Sequence, residues 1–369
     1  MSKRRKVMFV FTEDPGNGSP LYADLFARLS KAGFDVSSCF LRGRRNDLSL
    51  VNSIYIEEAI GEKPGEYDTV RELARVIREE RPDIVHAHKH KATVYSVWAS
   101  LFARGPKIVA HVHGLGRTRN FKRKISNFFT YRFLSAIVAV SNVVKDDILK
   151  NNLFVDKQKV KVVYNGIDPV SVAYGADERK EARKTLGIAE DEFAYVTVGR
   201  LVPTKGQSYM LEAFSMLRPR GVMRVYMIGS GPLEAELKGQ AEKLGIADKV
   251  KFLGYRNDVG KLLCGFDCFV FPSVAEGFPL AILEAMAAGV CIAAADVGGI
   301  KEALTGIARI VEPKNSEALA KAMAEVIDMD EGERYREGRA LRLKVEESFT
   351  VTKMARAFID VYGEVLKNA

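Results

Sequence analysis

The stretch FAYVTVGRLVPTKGQSYMLEAF, Phe193 to Phe214, reads as one strand running into one helix. Gly199 and Gly206 free the backbone in the turn between them. Arg200 ends the strand and Lys205 follows five residues on. Two cations at the carboxyl end of a strand, beside a helix start with its own positive partial charge, suit a diphosphate. Taken alone, two surface cations are the commoner explanation, so the rest of the chain has to decide.

Working outward, the same alternation of apolar runs and helical patterns fills the chain. Strands are expected near Val7 to Phe11, Asp35 to Leu41, Asp83 to His88, Lys107 to His113, Ala136 to Ser141 and Val160 to Tyr164. The second half repeats the scheme with FAYVTVGR, MRVYMIGSG, KVKFLG, DCFVFPS, VCIAAAD and ARIVE. Such alternation predicts α/β architecture with parallel sheets covered on both faces. At 369 residues the chain has room for about two domains, each with a full core. Two tandem doubly wound, Rossmann-like domains facing across a cleft are expected, 1–170 and 171–349, with the junction in NGIDPVSVAYGADERKE. The last helical segment, 350–369, is expected to pack back on the first domain.

Hydrophobic residues at 47% and charged residues at 28% exclude a disordered chain. The apolar run after the basic start, Val7 to Phe11, is too short for a signal peptide core, and no run approaches a bilayer span. A cytoplasmic location is therefore expected. Cys39, Cys264, Cys268 and Cys291 contain no C-x-x-C pair and fit buried thiols. The net charge of +9 is uneven: from Ile84 to Lys145 there are eleven Lys and Arg and no Asp or Glu. One face of the first half should be strongly positive.

A second segment, AEGFPLAILEAMAAG from Ala275 to Gly289, is almost wholly apolar yet carries Glu276 and Glu284 with seven residues between them. Pro279 and Gly289 punctuate it, so Pro279 to Ala288 is expected as a helix with Glu276 just outside its start. The neighbours of Glu284 three and four positions away are Leu280, Ala281, Ala287 and Ala288, none of them a cation. Either Glu284 points at solvent or something outside the helix satisfies it. MIGSGPLEAEL adds a further Gly-rich turn at Gly229 and Gly231, a fragment of the dinucleotide fingerprint without its acidic residue, which argues against NAD.

In this order, GRLVPTKG, IGSGP, VKFLGYRNDV and FPSVAEGFPLAILEAMAAGVCIAAADVGGIKE resemble the donor-binding domain of the retaining glycosyltransferases of GT-B fold, the "glycosyl transferases group 1" (family four) type. Upstream, IVHAH, HVHG and VVYNGID resemble that family's N-terminal half. The resemblance implies a metal-independent, retaining hexosyltransferase with no cofactor, whose donor is a UDP- or GDP-linked sugar. It implies that Arg200 and Lys205 hold the diphosphate and stabilise the charge on the leaving group. Glu276, with the Gly277 and Phe278 amides beside it, would bind donor sugar hydroxyls, and Glu284 the ribose hydroxyls. His113 would sit across the cleft near the sugar, while Gly199 and Gly229 line the donor site. Many members open with a glycine pair after the first strand; here the loop is TEDPGNGSPLYADLF, in which Gly16 and Gly18 would let the backbone approach the phosphates. The implied acceptor is a lipid-linked or envelope glycan, as in lipopolysaccharide, capsule or exopolysaccharide synthesis. A 2-epimerase on the same fold is the alternative chemistry.

Three further features compete for a role. His86, His88 and His90 alternate, as do His111 and His113, and H-x-H on a strand binds metals in some hydrolases. No acid completes a site within that stretch, so no metal is expected there and cleft-lining or solvent histidines are the default. DMD, Asp328 to Asp330, resembles the D-x-D of metal-dependent sugar transferases but falls between two polar helical segments, where a solvated turn is expected. FKRKISNFFTYRFLS places Phe121, Ile125, Phe128, Phe129 and Phe133 at helical spacing against Lys122, Arg123, Lys124 and Arg132. With Arg42, Arg44, Arg45, Arg117 and Arg119, it is expected to meet an anionic membrane surface, the alternative being an aromatic core face with a basic solvent face. No nucleic-acid motif accompanies it, so no nucleic-acid partner is expected.

Overall fold

A computed structural model describes residues 4–13, 20–43, 52–60, 65–103, 105–116, 121–218 and 221–367, with Pro20 and Lys122 described by backbone alone. The chain divides into two compact units, Met1–Asn165 with Val351–Ala369, and Gly166–Thr350.

The first unit is built on β1 (Arg5–Glu13), β2 (Phe34–Arg42), β3 (Ser53–Tyr55), β4 (Ile84–His88), β5 (Lys107–Val112), β6 (Leu134–Ala139) and β7 (Val160–Val162). They form one parallel sheet in the order β3-β2-β1-β4-β5-β6-β7. Five residues in the middle of β1 and all of β4 are buried, as expected where helices cover both faces of a parallel sheet. Helix Glu66–Glu80 buries Thr69, Leu73, Ala74, Val76 and Ile77 at 3.6-residue spacing and ends on Arg81 in the left-handed region. On the other face, helix Pro20–Lys31 and the C-terminal helix Val351–Lys367 share one core with the sheet, the latter through Met354, Phe358, Val361 and Tyr362.

The second unit is built on β8 (Glu192–Val198), β9 (Val222–Ile228), β10 (Val250–Gly254), β11 (Cys268–Phe271), β12 (Cys291–Ala295) and β13 (Arg309–Val311). Its parallel sheet runs β10-β9-β8-β11-β12-β13. Each order reverses once, between β1 and β4 in one sheet and between β8 and β11 in the other, and at such a reversal the strand ends open a ligand crevice. Among the described residues no closed barrel forms, and both parallel sheets are Rossmann-like.

Three expectations change in detail. Strand β3, three residues at the sheet edge, had no signal. Pro279 is the N-cap of helix Leu280–Ala287, with extended backbone at ψ 133°, and not its first residue. The helix from Phe121 stops at Thr130, followed by a tight turn at Tyr131–Phe133 that leads into β6. Asp330 in DMD caps helix Glu331–Ser348, accepting from the Glu333 amide at 2.7 Å while the Glu333 carboxylate accepts from the Asp330 amide. All four cysteines are buried free thiols. Among the described residues no helix is long and apolar enough to cross a membrane.

Candidate active site

At the reversal in the second sheet, the turn after β8 is stitched to its neighbours by backbone bonds. The Gly199 amide donates to the Ile228 carbonyl at 2.9 Å and the Leu201 amide to the Ser230 carbonyl at 3.0 Å. A Cβ on Gly229, where φ is +140°, would lie 2.0 Å from the Gly199 carbonyl oxygen. One on Gly231 would lie 2.4 Å from the Leu201 carbonyl oxygen. Both turns therefore require glycine to lie against each other. Farther on, Gly206 sits in the left-handed region, where a Cβ would meet the Pro272 carbonyl oxygen at 2.1 Å, and the Val274 amide donates to the Thr204 carbonyl at 2.9 Å. The loop after β8 is thereby clamped onto the loop after β11.

That clamp brings two of the expected site residues into contact. Lys205 Nζ donates to Glu276 Oε1 at 2.6 Å, with the two side chains 26% and 12% exposed. The same ammonium lies 5.5 Å from the centre of the Phe271 ring. A charge-assisted bond this sheltered holds both groups in place, and it leaves the second carboxylate oxygen and two ammonium protons for a ligand. Arg200 is exposed; its carbonyl accepts from Gln207 Nε2 at 3.0 Å. Phe278 is buried and packs its ring on Phe349, 5.2 Å between centroids, fixing the loop that carries Glu276 and Gly277.

Glu284 lies on the next helix and is half-buried, while its chain neighbours Leu283, Ala285 and Met286 are fully buried. Burial pushes its carboxyl above the usual carboxylate range, because the charged form loses water without gaining a counterion.

Three residues of this site had no individual signal in the sequence. Gly298 has φ +59°, and a Cβ there would lie 2.5 Å from the Glu276 carbonyl oxygen, while the Gly299 amide donates to the Gly277 carbonyl at 2.7 Å. The glycine pair of ADVGG is the cue that marks this close approach. Gln207 and Ser273 are both buried, and Gln207 Oε1 and Ser273 Oγ have no protein partner there.

The other expected site residues belong to the first unit. Gly16 and Gly18 lie outside the described residues, as do Arg44, Arg45, Arg117 and Arg119. His113, just past β5, is half-buried with Nε2 2.9 Å from His88 Nδ1. The histidines correct the sequence reading: His86, His88 and His111 neither line a cleft nor meet solvent but are buried at 0%, 2% and 0% exposure. They share one face of β4 and β5, where His88 pairs with His111, beneath Phe358 and Tyr362 of the C-terminal helix. A 2.6 Å hydrogen bond joins His86 Nδ1 to Tyr362 Oη, and Tyr22 Oη lies 3.3 Å from His88 Nδ1. His86 Nε2, His88 Nε2 and both ring nitrogens of His111 are buried without a partner, each at a cost of about 1–3 kcal/mol if left so. Burial, and then the neighbouring imidazoles, lower the His86 pKa to about 3 and hold His88 and His111 well below the ordinary imidazole value.

Helix Phe121–Thr130 is turned opposite to an ordinary amphipathic surface helix. Phe121, Ile125 and Phe129 are exposed, while Asn127 and Thr130 are buried, Asn127 Nδ2 donating to Asn152 Oδ1 at 3.1 Å. Phe133 is exposed as well, and the adjoining helix Lys89–Ala103 exposes Trp98, Leu101 and Phe102. Arg132 lies over the Phe128 ring at 4.0 Å.

Two family profiles match the chain, "Glycosyltransferase Family 4" over residues 21–171 and "Glycosyl transferases group 1" over residues 178–340. The chain belongs to this glycosyltransferase family. Among its relatives is the UDP-Gal:alpha-D-GlcNAc-diphosphoundecaprenol alpha-1,3-galactosyltransferase of Escherichia coli, 27% identical over 80% of this chain and 79% of that one. Another is the N,N'-diacetylbacillosaminyl-diphospho-undecaprenol alpha-1,3-N-acetylgalactosaminyltransferase of Campylobacter jejuni, 26% identical over 80% and 81%. The fold of this glycosyltransferase matches Anabaena HepE, solved in complex with UDP and glucose, with a TM-score of 0.82 at 22% identity over 97% and 99% of the two chains.

Proposed function

We propose that this glycosyltransferase moves a hexosyl group from a UDP- or GDP-linked sugar to a hydroxyl of a lipid-linked or cell-envelope glycan, with retention and without a metal. The Lys205–Glu276 pair at the reversal of the second sheet carries the reading, since it sets a cation and a carboxylate side by side where a doubly wound sheet opens its ligand crevice. Arg200 and Lys205 bind the diphosphate and neutralise it as it leaves. Glu276 accepts from sugar hydroxyls beside the Gly277 and Phe278 amides, Glu284 accepts from the ribose, and Gly199 and Gly229 give the nucleotide room. His113 keeps the role toward the transferred sugar that the family resemblance implies. The bond from the anomeric carbon to the diphosphate oxygen breaks, the acceptor oxygen bonds to that carbon on the same face, and its proton passes to the leaving diphosphate.

The relatives named for diphosphoundecaprenol-linked substrates support the acceptor class. The outward apolar face of helix Phe121–Thr130, with Arg123, Lys124 and Arg132 about it, supports docking at an anionic, cytoplasmic membrane face, where such acceptors reside. Incubation with UDP- or GDP-sugar and a polyprenyl diphosphate-linked sugar, followed by NMR of the product, tests the proposal. An anomeric configuration equal to the donor's is expected in the presence of EDTA. An inverted product, or donor converted to its 2-epimer without acceptor, would overturn it.

A further inference from the structure

The first unit holds a cluster that glycosyl transfer does not use. His86, His88 and His111 are buried side by side on β4 and β5, and one ligand nitrogen from each falls within 4.8 Å of the others. Their ring centroids form a nearly equilateral triangle with sides of 4.8, 4.8 and 5.2 Å. Three imidazoles on one tetrahedral ion, each with its nitrogen about 2 Å from the metal, place their centroids about 5 Å apart. The centroid spacing fits such a site, and binding requires the ligand nitrogens, now within 4.8 Å of one another, to close to about 3.3 Å.

The hydrogen bonding of these rings follows the pattern of metal ligands. A ligating histidine offers one nitrogen to the ion and anchors the other through a second residue, which sets its tautomer and orientation. His86 is anchored at Nδ1 by Tyr362, and His88 at Nδ1 by His113 with Tyr22 close by, while Nε2 of each ring is buried and without a partner. His111 keeps both nitrogens unpartnered in the same space. Phe358 and Tyr362 of the C-terminal helix cover the cluster and Phe9 of β1 flanks it, so that three imidazoles supply the protein ligands and a water takes the fourth position of a tetrahedral ion.

We propose that His86, His88 and His111 form a structural site for a borderline transition-metal ion of the Zn²⁺ type, which ties β4 to β5 beneath the C-terminal helix. Neutral imidazole ligands favour zinc, copper or nickel over magnesium or calcium. The ion takes no part in the glycosyl transfer proposed above, and the two readings meet only at His113, which bonds His88.

The test uses the full chain without a histidine tag, dialysed against chelator and titrated with Co²⁺ as a spectroscopic probe. One equivalent is expected to produce visible bands of tetrahedral type that Zn²⁺ abolishes, and Zn²⁺ should raise Tm. His86→Gln and His111→Gln should lose both effects, whereas His90→Gln keeps them. Tyr362→Phe removes only the hydroxyl that anchors His86 and should weaken binding about 10- to 100-fold. X-ray absorption of the Zn²⁺-loaded wild-type chain needs no variant and should give at least three nitrogen ligands at about 2 Å. Absence of any Co²⁺ band or Zn²⁺-dependent Tm rise in the wild type would overturn the proposal. So would binding that survives in both His86→Gln and His111→Gln, or an absorption spectrum without imidazole scattering.

Discussion

The two sheets reverse their strand order in the same way, yet the strands and loops on one side of each reversal carry different chemistry. In the second unit the loops after β8 and β11 hold Arg200, Lys205 and Glu276, and glycines at 199, 206 and 229 strip away side chains so that backbone and charge meet. In the first unit β4 and β5 carry imidazoles with no acid between Ile84 and Lys145, roofed by aromatic rings. Topology thus fixes where a ligand can bind, and the residues at the strand ends decide what it is.

The sharpest way to break this contrast is Glu276→Ala. Transfer should fall about 10²- to 10³-fold, the scale of losing one group that stabilises a transition state, with the fold intact and a smaller loss of Tm from the unpaired Lys205 ammonium. Wild-type turnover would remove Glu276 from the chemistry.

Gly229→Ala tests whether the glycines are there for close approach. It forces a Cβ to 2.0 Å from a carbonyl oxygen at φ +140° and should cost about 3 kcal/mol or more in chemical denaturation. Gly187→Ala is the control: at φ +63° a Cβ there meets nothing within 4 Å, and about 1 kcal/mol is expected. Equal costs would show that the two turns do not need to touch.

Glu284→Gln separates ligand binding from stability. A carboxyl whose folded pKa is raised disfavours the folded state once the unfolded chain ionises, so the penalty grows as pH rises above the ordinary carboxylate range and is absent below it. The variant should therefore gain Tm at neutral pH, lose that gain in acid and bind nucleotide more weakly. A Tm that is lower at neutral pH would mean that the carboxylate is stabilised by its surroundings. The smallest effect is expected from Phe129→Ser, an exposed position: binding to anionic vesicles should drop several-fold with Tm within about 2 °C of wild type. Unchanged vesicle binding would return the helix to an ordinary surface.

Much of the fold was legible because strands buried on both faces must be continuous apolar runs, and twelve such runs stand out between helical patterns. Strand β3 was not, since three residues pairing along one edge leave no periodicity. In the site, charged residues and glycines at strand ends were readable from their order along the chain. Gln207 and Ser273 were not, because a buried polar side chain looks like a surface one until its neighbours are known. The histidines were misread for the same reason: alternation shows that they share a face, but the helix that covers it brings Tyr362 from 276 residues away. For helix Phe121–Thr130, spacing reveals an apolar face without its direction, and it is the bond from Asn127 to Asn152 that turns the aromatic rings outward.

Every role proposed for the second unit depends on its strand ends binding the donor nucleotide. Calorimetric titration of UDP and GDP into the wild-type chain and into Arg200→Ala and Lys205→Ala, with EDTA present, tests it most directly. Selective binding of one nucleotide by the wild type is expected, unaffected by EDTA and weakened about 10-fold or more in each variant. Wild-type affinity in both variants, or no binding by the unaltered chain, would contradict it.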